Sequence, residues 1–181
     1  MSNAYKFNDS EGTYFVTLTV VGWVDIFSRQ VYRDFIIENL KFCQLNKGLL
    51  VHAWVMMTNH IHLIVSADKS PTLSEIIRDF KKFTSKGIRK LINEENESRR
   101  EWMLRHFTFT GIGNSNNNDF QFWVQDSHPI QLLTADFTKQ KLDYLHNNPV
   151  RAGLVAEPQH WLYSSAIDYM DGKGLLPVGL I

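Results

Sequence analysis

The chain has 181 residues, 44% hydrophobic and 21% charged, enough apolar material for one domain with a real core over residues 1–181. Nineteen basic residues balance nineteen acidic ones, so no global field announces a polyanion partner, and any such partner has to be held by a local patch. Cys43 is the only cysteine, which excludes an intramolecular disulfide and a cysteine-based zinc site and fits a reducing, cytoplasmic setting.

The N-terminus "MSNAYKFNDSEGTYF" has no basic region followed by an apolar stretch, and no segment approaches the roughly 20 apolar residues of a membrane span. A soluble chain with no membrane partner is expected. "TYFVTLTVVGWV" (13–24) is rich in β-branched and aromatic residues and reads as a strand. Ser28 is placed to cap a helix whose apolar positions Val31, Phe35, Leu40 and Phe42 recur at helical spacing and which stops near Gly48. "LLVHAWVMMT" (49–58) and "HIHLIVSA" (60–67) read as two further strands, and the tight polar junction at Thr58 and Asn59 predicts an antiparallel hairpin.

Pro71 suits the start of a second helix. Along it Leu73, Ile76, Ile77, Phe80, Phe83, Ile88 and Leu91 fall on one stripe, with Arg78, Lys81, Lys82, Lys86, Arg89 and Lys90 on the complementary face. The order strand, helix, strand, strand, helix is most of a ferredoxin-like βαββαβ unit. That α+β core has an antiparallel sheet with helices on one face and the other face available.

"NEENESRREW" (93–102) is highly charged and expected to be exposed, and "GIGNSNNNDF" (111–120) reads as a mobile loop. "FQFWVQD" (120–126) is a candidate strand. Thr134 or Asp136 then caps a C-terminal helix through "FTKQKLDYLHNN" that ends at Pro149, because the residue before proline is disfavoured from helical torsions. The tail reads as a short helix and an extended end.

Side chains alternate along a strand, so His60, His62 and Ile64 share one face while Ile61, Leu63 and Val65 share the other. If the apolar trio covers the helices, the two imidazoles lie together on the open face, a geometry suited to one divalent metal. The spacing also suits half-exposed polar positions of an amphipathic strand. "YLHNN" offers a chemical partner, because Tyr144 and Asn148 stand four residues apart on one helical face. A phenol has an ordinary pKa near 10 and needs deprotonation or a metal-polarised electrophile to act as a nucleophile. His52 and Trp54 share a parity on the neighbouring strand, where Trp54 is placed either to stack a base or to pack in the core. His146 reads as a surface or DNA-facing residue, and Tyr163 and Tyr169 as packing residues.

"VHAWVMMTNHIHLIVSA" followed by "YLHNNPVRAGLV" resembles the single-tyrosine HUH transposases, IS200-like, and within them the REP-associated tyrosine transposase group. His60, Ile61 and His62 match the histidine, hydrophobe, histidine motif. Tyr144, Asn148, Pro149, Val150, Arg151, Ala152 and Gly153 match the second, more specific one, and "LYSSAIDY" resembles the Ser-Ser segment that follows it. The resemblance implies that Tyr144 attacks single-stranded DNA to leave a 5′-phosphotyrosine and a free 3′-hydroxyl. It further implies that His60, His62 and Asn148 hold magnesium or manganese, and that a DNA hairpin near the cleavage point is recognised. For the six cations of the second helix, phosphate contact is then expected. Related enzymes act as monomers or as homodimers that share sites. A domesticated DNA-binding protein without transposition, or an RNA-binding module of the same fold, is the alternative.

Overall fold

A computed structural model describes residues 7–68, 70–112 and 119–181. Among them are four strands, β1 (Tyr14–Thr19), β2 (Leu49–Met56), β3 (His60–Ala67) and β4 (Ile130–Gln131), in one antiparallel sheet of order β2-β3-β1-β4. Five α-helices accompany them: α1 (Gln30–Lys47), α2 (Leu73–Glu94), α3 (Arg100–Ile112), α4 (Ala135–His146) and α5 (Asn148–Arg151). No helix among the described residues is long and apolar enough to cross a membrane.

The alternation of β1 and β3 builds the main core. Tyr14, Val16 and Leu18 join Ile61, Leu63 and Val65 beneath Tyr32, Ile36 and Leu40 of α1 and Ile76, Phe80 and Ile88 of α2. Gly48 ends α1 in the left-handed conformation, φ 67°, with its N–H on the Cys43 carbonyl, as its position predicts. Ser28 does not cap α1. It closes a 3₁₀ turn, Ile26–Ser28, and Arg29 precedes the helix without a side-chain cap. α2 starts just after Pro71, with Thr72 as its cap: Thr72 and Glu75 form a reciprocal capping box.

Phe42 and Phe83 are exposed, contrary to their apolar periodicity, and border a groove between α1 and α2. Thr84 and Ile92 fill the buried stripe of α2 instead. Phe35 lies so close to Gly87 that a Cβ there would enter its ring, which fixes the approach of the two helices.

The stretch 120–126 is not a regular strand. Phe120, Gln121, Phe122 and Trp123 are buried in succession, without alternation, because the segment is held from two sides. Gln121 N–H donates to Phe107 of α3, Val21 N–H donates to Phe122, and Trp123 makes an isolated bridge to Val20. Of the loop expected at 111–120, residues 113–118 lie outside the described residues, while Gly111 and Ile112 belong to α3.

The run 93–102 is not wholly exposed. Glu97 is buried, taking Arg29 Nη1 at 2.9 Å, the Tyr32 hydroxyl at 3.2 Å and the Arg99 N–H at 3.0 Å. Burial opposes its ionisation, but hydrogen bonds from the Arg99 backbone, Arg29 and Tyr32 outweigh it and hold the carboxyl below its ordinary range. Arg99 continues the network to Asp25 at 2.5 Å. Glu97→Ala would strip the acceptor from three buried or half-buried donors. Because Arg29 remains partly solvated, the expected loss is about 2 kcal/mol, read as a lower urea midpoint with unchanged slope.

Candidate functional site

β3 turns His60 and His62 away from α1 and α2, onto the second face of the sheet. That face is not open. α4 lies across it, and Leu145 packs with Phe15, Ala53, Val55, Met57 and Ile64. His62 is left only 6% exposed. Its ring stacks on Phe15 with centroids 5.1 Å apart, meets His60 edge-on at 4.7 Å, and meets Tyr144 of α4 edge-on at 5.4 Å. The structure therefore brings together His60, His62 and Tyr144 from distant segments of the chain.

Each imidazole is oriented through Nδ1. His60 Nδ1 lies 2.6 Å from Asn59 Oδ1; since that oxygen only accepts, His60 carries its proton on Nδ1 and leaves the Nε2 lone pair available. His62 Nδ1 lies 2.9 Å from Thr17 Oγ1, its cross-strand neighbour, while its Nε2 is buried with no hydrogen-bond partner. Burial, reinforced by His60 and Lys141, pushes His62 down to about 3, and burial also lowers His60. Both rings are neutral at ordinary pH.

α4 begins at Thr134, whose hydroxyl accepts from the Phe137 N–H, so Thr134 rather than Asp136 is the cap. It ends at His146, before Pro149, and Asn148 opens the separate one-turn α5. Asn147 joins the two helices in right-handed helical torsions, φ −81° and ψ −3°, with its N–H on the Asp143 carbonyl. Asn148 Nδ2 is buried without a partner, so an amide N–H donor is left unspent there. His146 is not a surface residue: it is buried, its Nε2 2.9 Å from Ser165 Oγ, and burial pushes it down to about 4. Tyr163 and Tyr169 are packing residues as expected, with hydroxyls donating to Asp34 and to the His52 carbonyl.

Among the described residues no three His, Cys, Asp or Glu side chains gather as a metal group. The donors here that fit a cation are two neutral imidazoles, one with an orphaned buried Nε2. Two cations flank the phenol: Lys141, which belongs to no motif, and Arg151, which belongs to the second motif but was given no role. Lys141 Nζ lies 5.9 Å from the Tyr144 ring centroid and Arg151 Cζ lies 5.5 Å from it. The helical spacing of Lys141 to Tyr144 was the available signal.

Trp54 is not on this face. A bulge between Val51 and Ala53 leaves His52 out of register and shifts the parity, so Trp54 is fully buried on the α1 and α2 side. His52 pairs with Ser66 Oγ at 2.8 Å.

The six cations of α2 lie on the opposite side of the sheet from the histidines. Arg78, Lys81, Lys82, Lys86 and Arg89 line a groove of about 840 Å³ between α2 and the 119–127 segment. Lys81 Nζ donates to the Val124 and Gln125 carbonyls at 2.8 and 2.6 Å, and burial pushes its pKa down to about 8. Arg78 pairs with Asp79, Arg89 with Asp119 and Lys90 with Glu94.

The family model "Transposase IS200 like" matches residues 13–125, well over half of the chain. The chain belongs to the IS200-like transposase family. Among solved structures it is similar to a REP-associated tyrosine transposase bound to a REP hairpin, at 18% identity and a TM-score of 0.62, covering 99% of this chain and 92% of that one. It also matches a transposase candidate from Deinococcus radiodurans R1 at 11% identity and a TM-score of 0.42, covering 80% of this chain and 94% of that one. No curated protein matches it.

The buried histidines of this transposase-family chain make its stability depend on pH. His146 titrates near 4 in the fold and near its ordinary 6.5 when unfolded, so the unfolded state binds more protons between those values. Its contribution is complete above pH 6.5 and is lost as pH falls towards 4; His62 acts with the same sign. Urea midpoints measured from about pH 7.5 to about 4.5 should fall for the wild type, the His146 share being on the order of 2 kcal/mol. His146→Gln, which keeps a partner for Ser165, should show a shallower fall.

Proposed function

We propose that this chain is a metal-dependent single-stranded DNA endonuclease and strand transferase with Tyr144 as nucleophile. The observation that carries this reading is the Tyr144 ring packed 5.4 Å from His62, with His60 4.7 Å beyond. Tyr144 Oη attacks a phosphodiester phosphorus and gives up its proton; the P–O3′ bond breaks, and the leaving oxygen takes up a proton as a free 3′-hydroxyl. The products are a 5′-phosphotyrosine and that hydroxyl. Because one phosphodiester replaces another, attack by a 3′-hydroxyl reverses the step without ATP.

His60 Nε2, His62 Nε2 and the Asn148 carboxamide would hold magnesium or manganese, which supplies Lewis acidity at the scissile phosphate. Asn59 fixes the tautomer that presents the His60 lone pair, and Thr17 holds His62 by its Nδ1, with Nε2 on the other side of the ring. Lys141 and Arg151 bring positive charge to the phosphate beside the phenol. The strand order and the placement of α1 and α2 over one face support a ferredoxin-like core, with residues 1–181 as one domain and the tyrosine helix closing the other face.

The α2 groove is the surface for a DNA hairpin. Its rim cations Lys82 and Lys86 are the best placed for phosphates, whereas Lys81 is committed to backbone carbonyls. The hairpin bound by the REP-associated relative supports this choice of partner.

Three outcomes are expected. With manganese and hairpin DNA from the flanks of the gene, the wild type forms a covalent protein–DNA adduct that disappears in Tyr144→Phe and with a chelator. Hairpin binding without any adduct would leave a DNA-binding protein in place of the nuclease. Thr17→Val raises the manganese concentration for half-maximal cleavage about tenfold, because His62 loses the group that orients it. Joint replacement of Lys82 and Lys86 by Ala weakens hairpin binding and flattens its salt dependence by roughly 1.5 to 2 in log–log slope.

A further inference from the structure

We propose that Trp23 is the stacking platform for an unpaired DNA base next to the scissile phosphate, an inference that rests on the nuclease reading above. Trp23 is 64% exposed, and its indole stands edge-on to His60 with centroids 5.8 Å apart. An isolated exposed aromatic needs no explanation. This one is held at a backbone cost. Gly22 and Trp23 have φ of 65° and 56°, the left-handed region, where a bulky residue is an outlier that persists only if its surroundings impose it.

The surroundings do impose it. Val20 N–H donates to the Asn59 carbonyl, Val21 N–H to the Phe122 carbonyl, and Trp23 N–H to the Val20 carbonyl, at 2.9, 2.9 and 3.0 Å. Asn59 Nδ2 donates to the Trp23 carbonyl at 3.3 Å while its Oδ1 accepts from His60 Nδ1 at 2.6 Å. One carboxamide therefore fixes the indole-bearing turn and the His60 tautomer together. Gly22 must remain glycine, because a Cβ would run into the His106 ring, which itself stacks on half-exposed Trp102 with planes 12° apart.

The chemistry selects the ligand. A flat, uncharged ring with a free face suits a nucleobase rather than a phosphate, and every base offers a π-face whatever its identity. Bases inside a hairpin stem have both faces covered by their neighbours, so the partner is the single-stranded part of the substrate. Adjacent to His60, the stacked base belongs to a nucleotide flanking the phosphate that Tyr144 attacks.

The test uses full-length Tyr144→Phe protein, which cannot cleave, and hairpin DNA with a single-stranded flank. The nucleotides on either side of the cleavage position, mapped from the wild-type adduct, are replaced in turn by 2-aminopurine. One of the two should lose emission on binding. Adding Trp23→Ala should restore that emission and weaken binding about tenfold, while Trp23→Phe keeps most of both. With an abasic nucleotide there, the proteins with and without the Trp23→Ala substitution should bind alike. Trp23→Asn, which tolerates the left-handed backbone, should melt no lower than the parent yet bind as weakly as Trp23→Ala. Unchanged affinity and unquenched emission with a normal wild-type adduct would overturn this inference alone; absence of any wild-type adduct would overturn the nuclease reading and this inference with it.

Discussion

Ser165 Oγ accepts the Trp54 N–H at 2.9 Å, lies 3.2 Å from the Trp54 carbonyl and meets His146 Nε2 at 2.9 Å, all in the interior. One hydroxyl thus joins the C-terminal segment, the outer strand of the sheet and the end of α4. Leu145, the residue before His146, fills the apolar surface formed by Phe15, Val55 and Ile64. With Leu145 and His146 both fixed inward, Tyr144 is delivered to the margin of the buried patch, ring against His62 and 39% exposed. The geometry of the phenol is therefore set by a serine and a histidine that touch neither imidazole of the pair.

The same closure changes the electrostatics of the histidines. A ring buried against Phe15 and Tyr144 loses the solvation that a charged imidazole needs, so His62 stays neutral, and neutrality is what a cation ligand requires. An orphaned Nε2 carries a desolvation cost of about 1–3 kcal/mol unless something accepts its lone pair. That cost is tolerable because Thr17 satisfies the other nitrogen and the apolar contacts around it are extensive. On the proposed reading a metal ion recovers the cost on binding, so the site is arranged for occupancy rather than for maximal stability of the empty fold.

Much of this was legible in the residues because period-2 alternation is strict in β3. Ile61, Leu63 and Val65 had to face the helices once the apolar stripe of α2 was recognised, and His60 and His62 then had to face the other way. The same rule failed in β2, where the bulge at His52 inserts one residue and moves Trp54 into the core; nothing in the composition of "LLVHAWVM" marks it. Glu97 was hidden because a run of charges reads as solvated, and only the tertiary approach of Arg29 and Tyr32 makes a buried carboxylate sustainable there. His146 was misplaced for the converse reason. Its spacing from Tyr144 shows that it points elsewhere on the helix, but not that a serine from the tail waits on that side. α3 offers weak amphipathic patterning, with Trp102, Phe109 and Ile112 exposed beside buried Met103 and Phe107, so periodicity gave no signal for it.

On the proposed reading, a chain of zero net charge has to divide its cations by task, and the division follows the two faces of the sheet. The α2 groove gathers its cations on the side away from the histidines, where most are solvated or paired with carboxylates and so are screened by salt. Lys141 and Arg151 stand on the other side, over the Tyr144 ring, with Lys141 also over Phe15 and Phe137. On the proposed reading the first set governs affinity, and the second acts on charge that develops at one phosphate, in a setting where apolar rings lower the local dielectric and raise the worth of each cation. The strand between them is β1, where Thr17 donates its N–H to the carbonyl of Ser127 in the groove-lining segment and turns its hydroxyl to His62. Thr17 therefore links the wall of the α2 groove to the imidazole beside Tyr144 through a single residue, one hydrogen bond to each side.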